Sequence, residues 1–221
     1  MPTDAADEGF DAAIGAPRFA SRGRTFVYVL PCRDEDLLKV GFSRDPLQRL
    51  RTLHTRYFAF FDLQRGLLVE TAKLRDARRI ERLLITHFAE HRAPAPLAVR
   101  QAAAGHTEWY RGVHAPVVAL ARRTAAAEDL AVHPLHDWLR ARFEEHAERL
   151  FDWSARLLQA IDYARFNPPR DQPGEWPELA RMEQALERTL DTCAALGIDA
   201  SARVEPAVLA WFEQRKALVF R

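Results

Sequence analysis

The sequence predicts an α+β protein, with a β-hairpin and a third strand interleaved with helices, followed by an all-α region. Three observations carry this. Thr25 to Leu30 is a β-branched and aromatic run closed by Pro31, and from Leu37 the residues Leu38, Val40 and Phe42 alternate with Leu37, Lys39 and Gly41, the period of two of a half-buried strand. Beyond residue 113 the apolar spacing changes to threes and fours. The segment FNPPRDQPGEWP, residues 166–177, then breaks the helical pattern outright.

Taken in order, residues 1–21 have no sustained period and read as a flexible leader. The polar segment Arg33-Asp34-Glu35-Asp36 joins the two strands into a hairpin, which places Tyr28 with Phe26 and Leu30 on one face and Lys39 with Gly41 on a face of the next strand. A helix over 45–57 follows, where Asp45 can accept from orphan amides and Pro46 suits the first turn. This stretch is rich in cations: Lys39 in the strand, and Arg44, Arg49, Arg51 and Arg56 in or beside the helix. The apolar run Phe58 to Val69 holds a third strand, and a helix over 74–89 turns Leu74, Ala77, Ile80, Leu84 and Phe88 inward. On another face of that helix Arg75, Arg78, Arg79 and Arg82 recur at i, i+3, i+4 and i+7, a row that can track a phosphate backbone.

A loop over 92–105 leads to His106-Thr107-Glu108-Trp109-Tyr110. Val117, Leu120 and Ala121 then mark one helix, Pro134 starts a long one through Ile161, and two more cover about 178–196, ending at Gly197, and 204–219. The expected organisation is therefore a leader over 1–21, an α+β domain over 22–112 and a helical domain over 113–221.

Composition narrows the function classes. At 48% hydrophobic and 29% charged the chain can bury real cores, no apolar run approaches a membrane span, and no secretory h-region opens the sequence, so a cytoplasmic location is expected. Cys32 and Cys193 have no disulfide or zinc-ligand spacing. The net charge of +1 hides a segregation: residues 22–123 hold 19 Lys and Arg against 10 Asp and Glu, while residues 124–221 hold 12 against 17. A basic segment beside an acidic one is the footprint of a nucleic-acid-binding domain with an appended partner or scaffold domain.

The order of Val27-Tyr28-Val29, then Lys39-Val40-Gly41, Arg44-Asp45-Pro46 with Arg49-Leu50, a strand, a helix and Glu108-Trp109-Tyr110 resembles the GIY-YIG endonuclease superfamily, in its phage and bacterial branch with a Lys-Ile/Val-Gly second motif. The resemblance spans about residues 24–112. It implies a small three-stranded antiparallel sheet flanked by helices, and a DNA phosphodiester cleavage site using one divalent metal, Mg²⁺ or Mn²⁺. By position, Tyr28 stands for the tyrosine thought to act as general base or to orient water, Lys39 for the second motif's tyrosine, Arg49 for the arginine on the scissile phosphate and Glu108 for the metal-holding acid. Such chemistry needs an activated water and a cation against developing charge, and Tyr28 can serve as a base only if its pKa falls well below the ordinary ~10. One departure stands out: the helical histidine expected three residues before Phe88 is Ile85, and His87 lies about 200° away around the helix. His54 and His106 are other proton-transfer candidates.

The sequence thus points to a metal-dependent DNA endonuclease, with RNA as a second substrate candidate and Arg44, Arg51, Arg56, Arg75, Arg78, Arg79 and Arg82 as nucleic-acid contacts. The alternative is a catalytically degenerate nucleic-acid-binding or interaction protein on the same fold. A homodimer or partner protein is expected to use the helical region.

Overall fold

A computed structural model describes residues 23–99, 107–167 and 177–219. The leader, the end of the 92–105 loop with His106, and most of the 166–177 break lie outside the described residues.

The hairpin forms as expected, with strand β1 (Thr25–Pro31) antiparallel to β2 (Leu37–Ser43) and Tyr28 directly opposite Gly41. Helix α1 (Pro46–Leu53) follows with Asp45 as its N-cap, accepting from the Gln48 amide at 2.9 Å, and Leu47, Leu50 and Leu53 buried. The run expected to be one strand divides. Tyr57–Phe60 is a short helix, α2; Phe61 bridges to Cys32; and the strand proper, β3, is Leu67–Thr71 on the far side of β1. Helix α3 (Leu74–His87) completes this part.

The sheet has six strands, where the sequence suggested three. The additional members are β4 (Arg92–Ala93), β5 (Trp109–Arg111) and β6 (Val132–Pro134), giving the all-antiparallel order β4-β5-β2-β1-β3-β6. Two or three residues are too few to display an alternation, so these short strands leave no periodic signal. They matter for the site, because β5 is what brings residues 107–109 alongside Lys39.

Both sheet faces are covered. Val27, Val29, Leu38, Val40, Leu67, Val69 and Tyr110 form one core with Ala77, Ile80 and Leu84 of α3 and with Val117, Ala121 and Ala125 of helix α4 (His114–Ala127). Pairing register puts Phe26, Tyr28, Lys39 and Trp109 on the opposite face, where Arg49 of α1 reaches Tyr28. Contacts divide the described chain between Leu139 and Arg140, so α4 belongs with the sheet.

The helical region is described by itself. Helix α5 (Leu135–Glu145) runs into it and ends at His146, whose Nδ1–H donates to the Arg142 carbonyl; helix α6 (Ala147–Phe166) then packs with α7 (Pro177–Ala195) and α8 (Pro206–Val219). The single long helix expected from Pro134 is therefore a strand and two helices. Past α7, Gly197 has φ +64°, with Ile198 N–H bonded to the Cys193 carbonyl and Gly197 N–H to that of Ala194, the paired bonds of a Schellman cap. Among the described residues no helix is long and apolar enough to cross a membrane.

The Asp45 cap sets where α1 begins and hence where Arg49 sits. Asp45→Ala should lower stability by about 1 kcal/mol, measured as a shift of the denaturation midpoint at unchanged m-value.

Candidate functional site

Tyr28 and Gly41 form the floor. A Cβ at position 41 would lie 2.3 Å from the Tyr28 hydroxyl and 2.5 Å from Cζ, so glycine is required because the phenol ring crosses directly above it. So placed, the Tyr28 oxygen accepts a 3.1 Å bond from Arg49 Nε. A planar guanidinium held at Nε has its two terminal nitrogens fixed in direction, which suits a phosphate.

Lys39 lies beside this pair with no exposed surface. Its Nζ donates to the Thr107 carbonyl at 2.7 Å, faces Glu108 Oε2 at 3.4 Å and sits 5.6 Å from the centre of the Trp109 ring, its cross-strand partner. Glu108 is tethered twice, since its own carbonyl also accepts from Val40 N–H at 3.1 Å. Its backbone has φ +60°, uncommon for a residue with a side chain. The Glu108 side chain keeps 30% of its surface exposed. Tyr28, Lys39, Arg49 and Glu108 thus share one site, with Tyr28 and Lys39 buried behind Arg49 and Glu108.

The electrostatics alter one expected role. Burial pushes the Tyr28 phenol above its ordinary pKa, with Arg49 pulling partly the other way and Glu81 and Glu108 adding to the rise. A general base needs the reverse shift, so in this state Tyr28 is a protonated anchor for Arg49. Burial also lowers Lys39, to about 8, against the opposing pull of Glu108.

Glu81 of α3 is the residue that sequence reasoning passed over. It is half-buried, and burial together with the Glu108 charge raises its pKa to about 7, while Lys39, Arg78 and Arg49 act to lower it. A signal was present: Glu81 stands at i+4 from Ala77 and i−3 from Leu84, within the inward apolar stripe of α3. There Glu81 is half-buried and feels the charges of Glu108, Lys39 and Arg49. The partly exposed Glu108 carboxylate is of the kind that suits a hard divalent ion such as Mg²⁺, which takes one or two carboxylates and retains waters. Among the described residues no group of three or more His, Cys, Asp or Glu is placed to hold a metal ion, so an ion here would rest on fewer protein ligands and on water.

The four arginines of the proposed row differ in their surroundings. Arg79 pairs with Glu128 of the loop after α4, Arg75 with the adjacent Asp76 at 3.7 Å, and Arg78 lies 5.9 Å over the Phe42 ring; Arg82 is exposed. Arg44 and Arg56 are exposed and Arg51 is half-buried in the last turn of α1. Ile85 packs against the core, and His87 is exposed beside Phe88. His54 caps the end of α1, accepting from the Arg56 amide and stacking on Phe60 with centroids 4.4 Å apart. Cys32 and Cys193 are buried, and burial pushes both thiols to about 12, so neither is a reactive thiolate.

Residues 25–125 match the T5orf172 domain, a domain associated with GIY-YIG- and HNH-like phage endonucleases. The match starts with β1 and ends in the last turn of α4, covering strands β1 to β5, α3 and all the site residues but not β6, and somewhat less than half of the chain. It points to a nuclease-like or nucleic-acid-related role. No curated protein and no solved structure matches.

Two outcomes follow from the packing and the charges. Gly41→Ala should destabilise by about 1–3 kcal/mol through overpacking, and Tyr28→Ala in the same chain should recover part of the loss in a double-mutant cycle. Glu81 has a folded pKa raised above its unfolded value, so its stabilising contribution is present below the unfolded pKa and lost as pH rises through about 7. In metal-free buffer, Glu81→Gln should therefore raise Tm at pH 8 relative to the parent and change it much less at pH 4.5.

Proposed function

We propose that the β-sheet unit is a metal-dependent endonuclease that hydrolyses DNA phosphodiester bonds at the Arg49–Glu108 site. The observation that carries this is the convergence of a forked cation and a partly exposed carboxylate backed by the buried Tyr28 and Lys39, with a second carboxylate poised near neutrality in electrostatic reach. The family match over the same residues agrees with a nuclease-related role.

In this mechanism Arg49, aimed by Tyr28, binds the scissile phosphate and neutralises charge developing on its non-bridging oxygens. Glu108 is the residue that would hold Mg²⁺ or Mn²⁺. When bound, the ion supplies Lewis-acid stabilisation and lowers the pKa of water. Glu81, with a pKa about 7, takes the proton from the attacking water, a role suited to a group near the working pH. DNA is the substrate class assigned, and two copies of a one-metal site would be needed for a coordinated double-strand cut.

A second reading, a nucleic-acid binder that has lost cleavage, is favoured by Ile85 at the expected histidine position and by the raised Tyr28 pKa. Plasmid nicking separates the two. The hydrolytic account expects Mg²⁺- or Mn²⁺-dependent nicking, reduced by roughly a hundredfold or more in Arg49→Ala and abolished in Glu108→Gln, with an Arg203→Ala control in the helical region unaffected. Salt-sensitive binding with no nicking under any divalent ion would establish the binder instead.

A further inference from the structure

Lys39 resembles a substrate-binding cation by its charge and its place beside Arg49, yet its surroundings assign it to the protein. Its side chain has no exposure, and its three neighbours come from three consecutive residues: the Thr107 carbonyl at 2.7 Å, the Glu108 carboxylate at 3.4 Å and the Trp109 ring at 5.6 Å. Trp109 is itself buried and stacks on the fully buried Phe61, with rings 11° from parallel, so the surface beneath the ammonium is rigid. The residue so gripped, Glu108, has the left-handed backbone. A non-glycine residue stays in that region only where surrounding contacts over-determine it.

We propose that Lys39, seated on Trp109, is a positioning residue that sets the Glu108 carboxylate to hold a divalent ion and that it makes no contact with the phosphate. This rests on the hydrolytic reading of the site. Lys39 closes the gap between β2 and the segment entering β5, and the Val40 amide grips the Glu108 carbonyl one residue further along the same strand. Main chain and side chain of Glu108 are thereby both referred to β2, the strand that also carries Gly41 under Tyr28. The metal-holding and phosphate-binding ends of the site then share one rigid reference.

The test uses the full chain and two binding measurements. Mn²⁺ affinity is taken by calorimetry, and affinity for a DNA duplex is taken in EDTA as a function of salt. Lys39→Met should bind Mn²⁺ about 10- to 100-fold more weakly, the usual cost of removing a residue that orients a metal ligand. Its salt slope should equal that of the parent, whereas losing a phosphate-contacting lysine lowers the slope by about 1. Arg49→Ala provides the internal comparison, with a lowered slope and near-parental Mn²⁺ affinity. Should Lys39→Met not fold, Trp109→Phe and Lys39→Arg give the same pair of measurements, with weaker Mn²⁺ binding and an unchanged slope expected. A lowered slope, or unchanged Mn²⁺ affinity, in these variants overturns the positioning role and leaves the hydrolytic site standing. A parent chain that binds DNA but no Mn²⁺ removes the hydrolytic reading and this role together.

Discussion

A lysine ammonium with no exposure is costly unless it is paired, and the way Lys39 is paired organises the site. Desolvating a charge costs several kcal/mol even after relaxation, so the strand that carries it needs oxygen and aromatic partners close by. Residues 107–109 supply all three, and they can do so because β5 adds to β2 with Trp109 opposite Lys39. The buried charge thus ties a late segment of the unit to its first hairpin. The Glu108 carboxylate is delivered as a consequence.

The same hairpin governs the other half of the site. Gly41 makes room for the Tyr28 ring, Tyr28 anchors Arg49, and the Asp45 cap fixes the start of the helix on which Arg49 rides. Tyr28 and Lys39 therefore act as a rigid inner layer, with Arg49 and Glu108 forming the outer one. This division explains why burial raises the phenol and lowers the ammonium while the exposed groups remain able to meet a ligand. Burial, with the Glu108 charge adding to it, likewise raises Glu81.

Much of this was legible in the sequence where periodicity or capping chemistry speaks. The hairpin, the Asp45-Pro46 helix start, the inward stripe of α3 and the Gly197 cap all follow from local rules. The family pattern grouped Tyr28, Lys39, Arg49 and Glu108, and the structure brings these side chains into one neighbourhood, Arg49 on Tyr28 and Lys39 on Glu108. What stayed hidden depends on tertiary placement. Strands of two or three residues carry no alternation, so a six-stranded sheet looked like three. Glu81, with Arg78, Arg79 and Arg82 close by in sequence, reads as an ordinary helix-surface acid although its spacing from Ala77 and Leu84 puts it at the edge of the buried stripe. The arginines of α3 form a row in sequence, but Arg75 and Arg79 are paired with acids and Arg78 lies over an aromatic ring. The identity of neighbours decides each role.

The claim on which the rest depends is that Glu108, held by Lys39, is the metal-holding end of a phosphate site. A crystal of the full chain soaked in Mn²⁺ tests it most directly through an anomalous difference map. The account predicts a peak within bonding distance of the Glu108 carboxylate, on the side facing Glu81 and Arg49, with Lys39 still bonded to Thr107. A peak bound elsewhere with Glu108 unliganded, or a Lys39 side chain swung out to solvent, would contradict it.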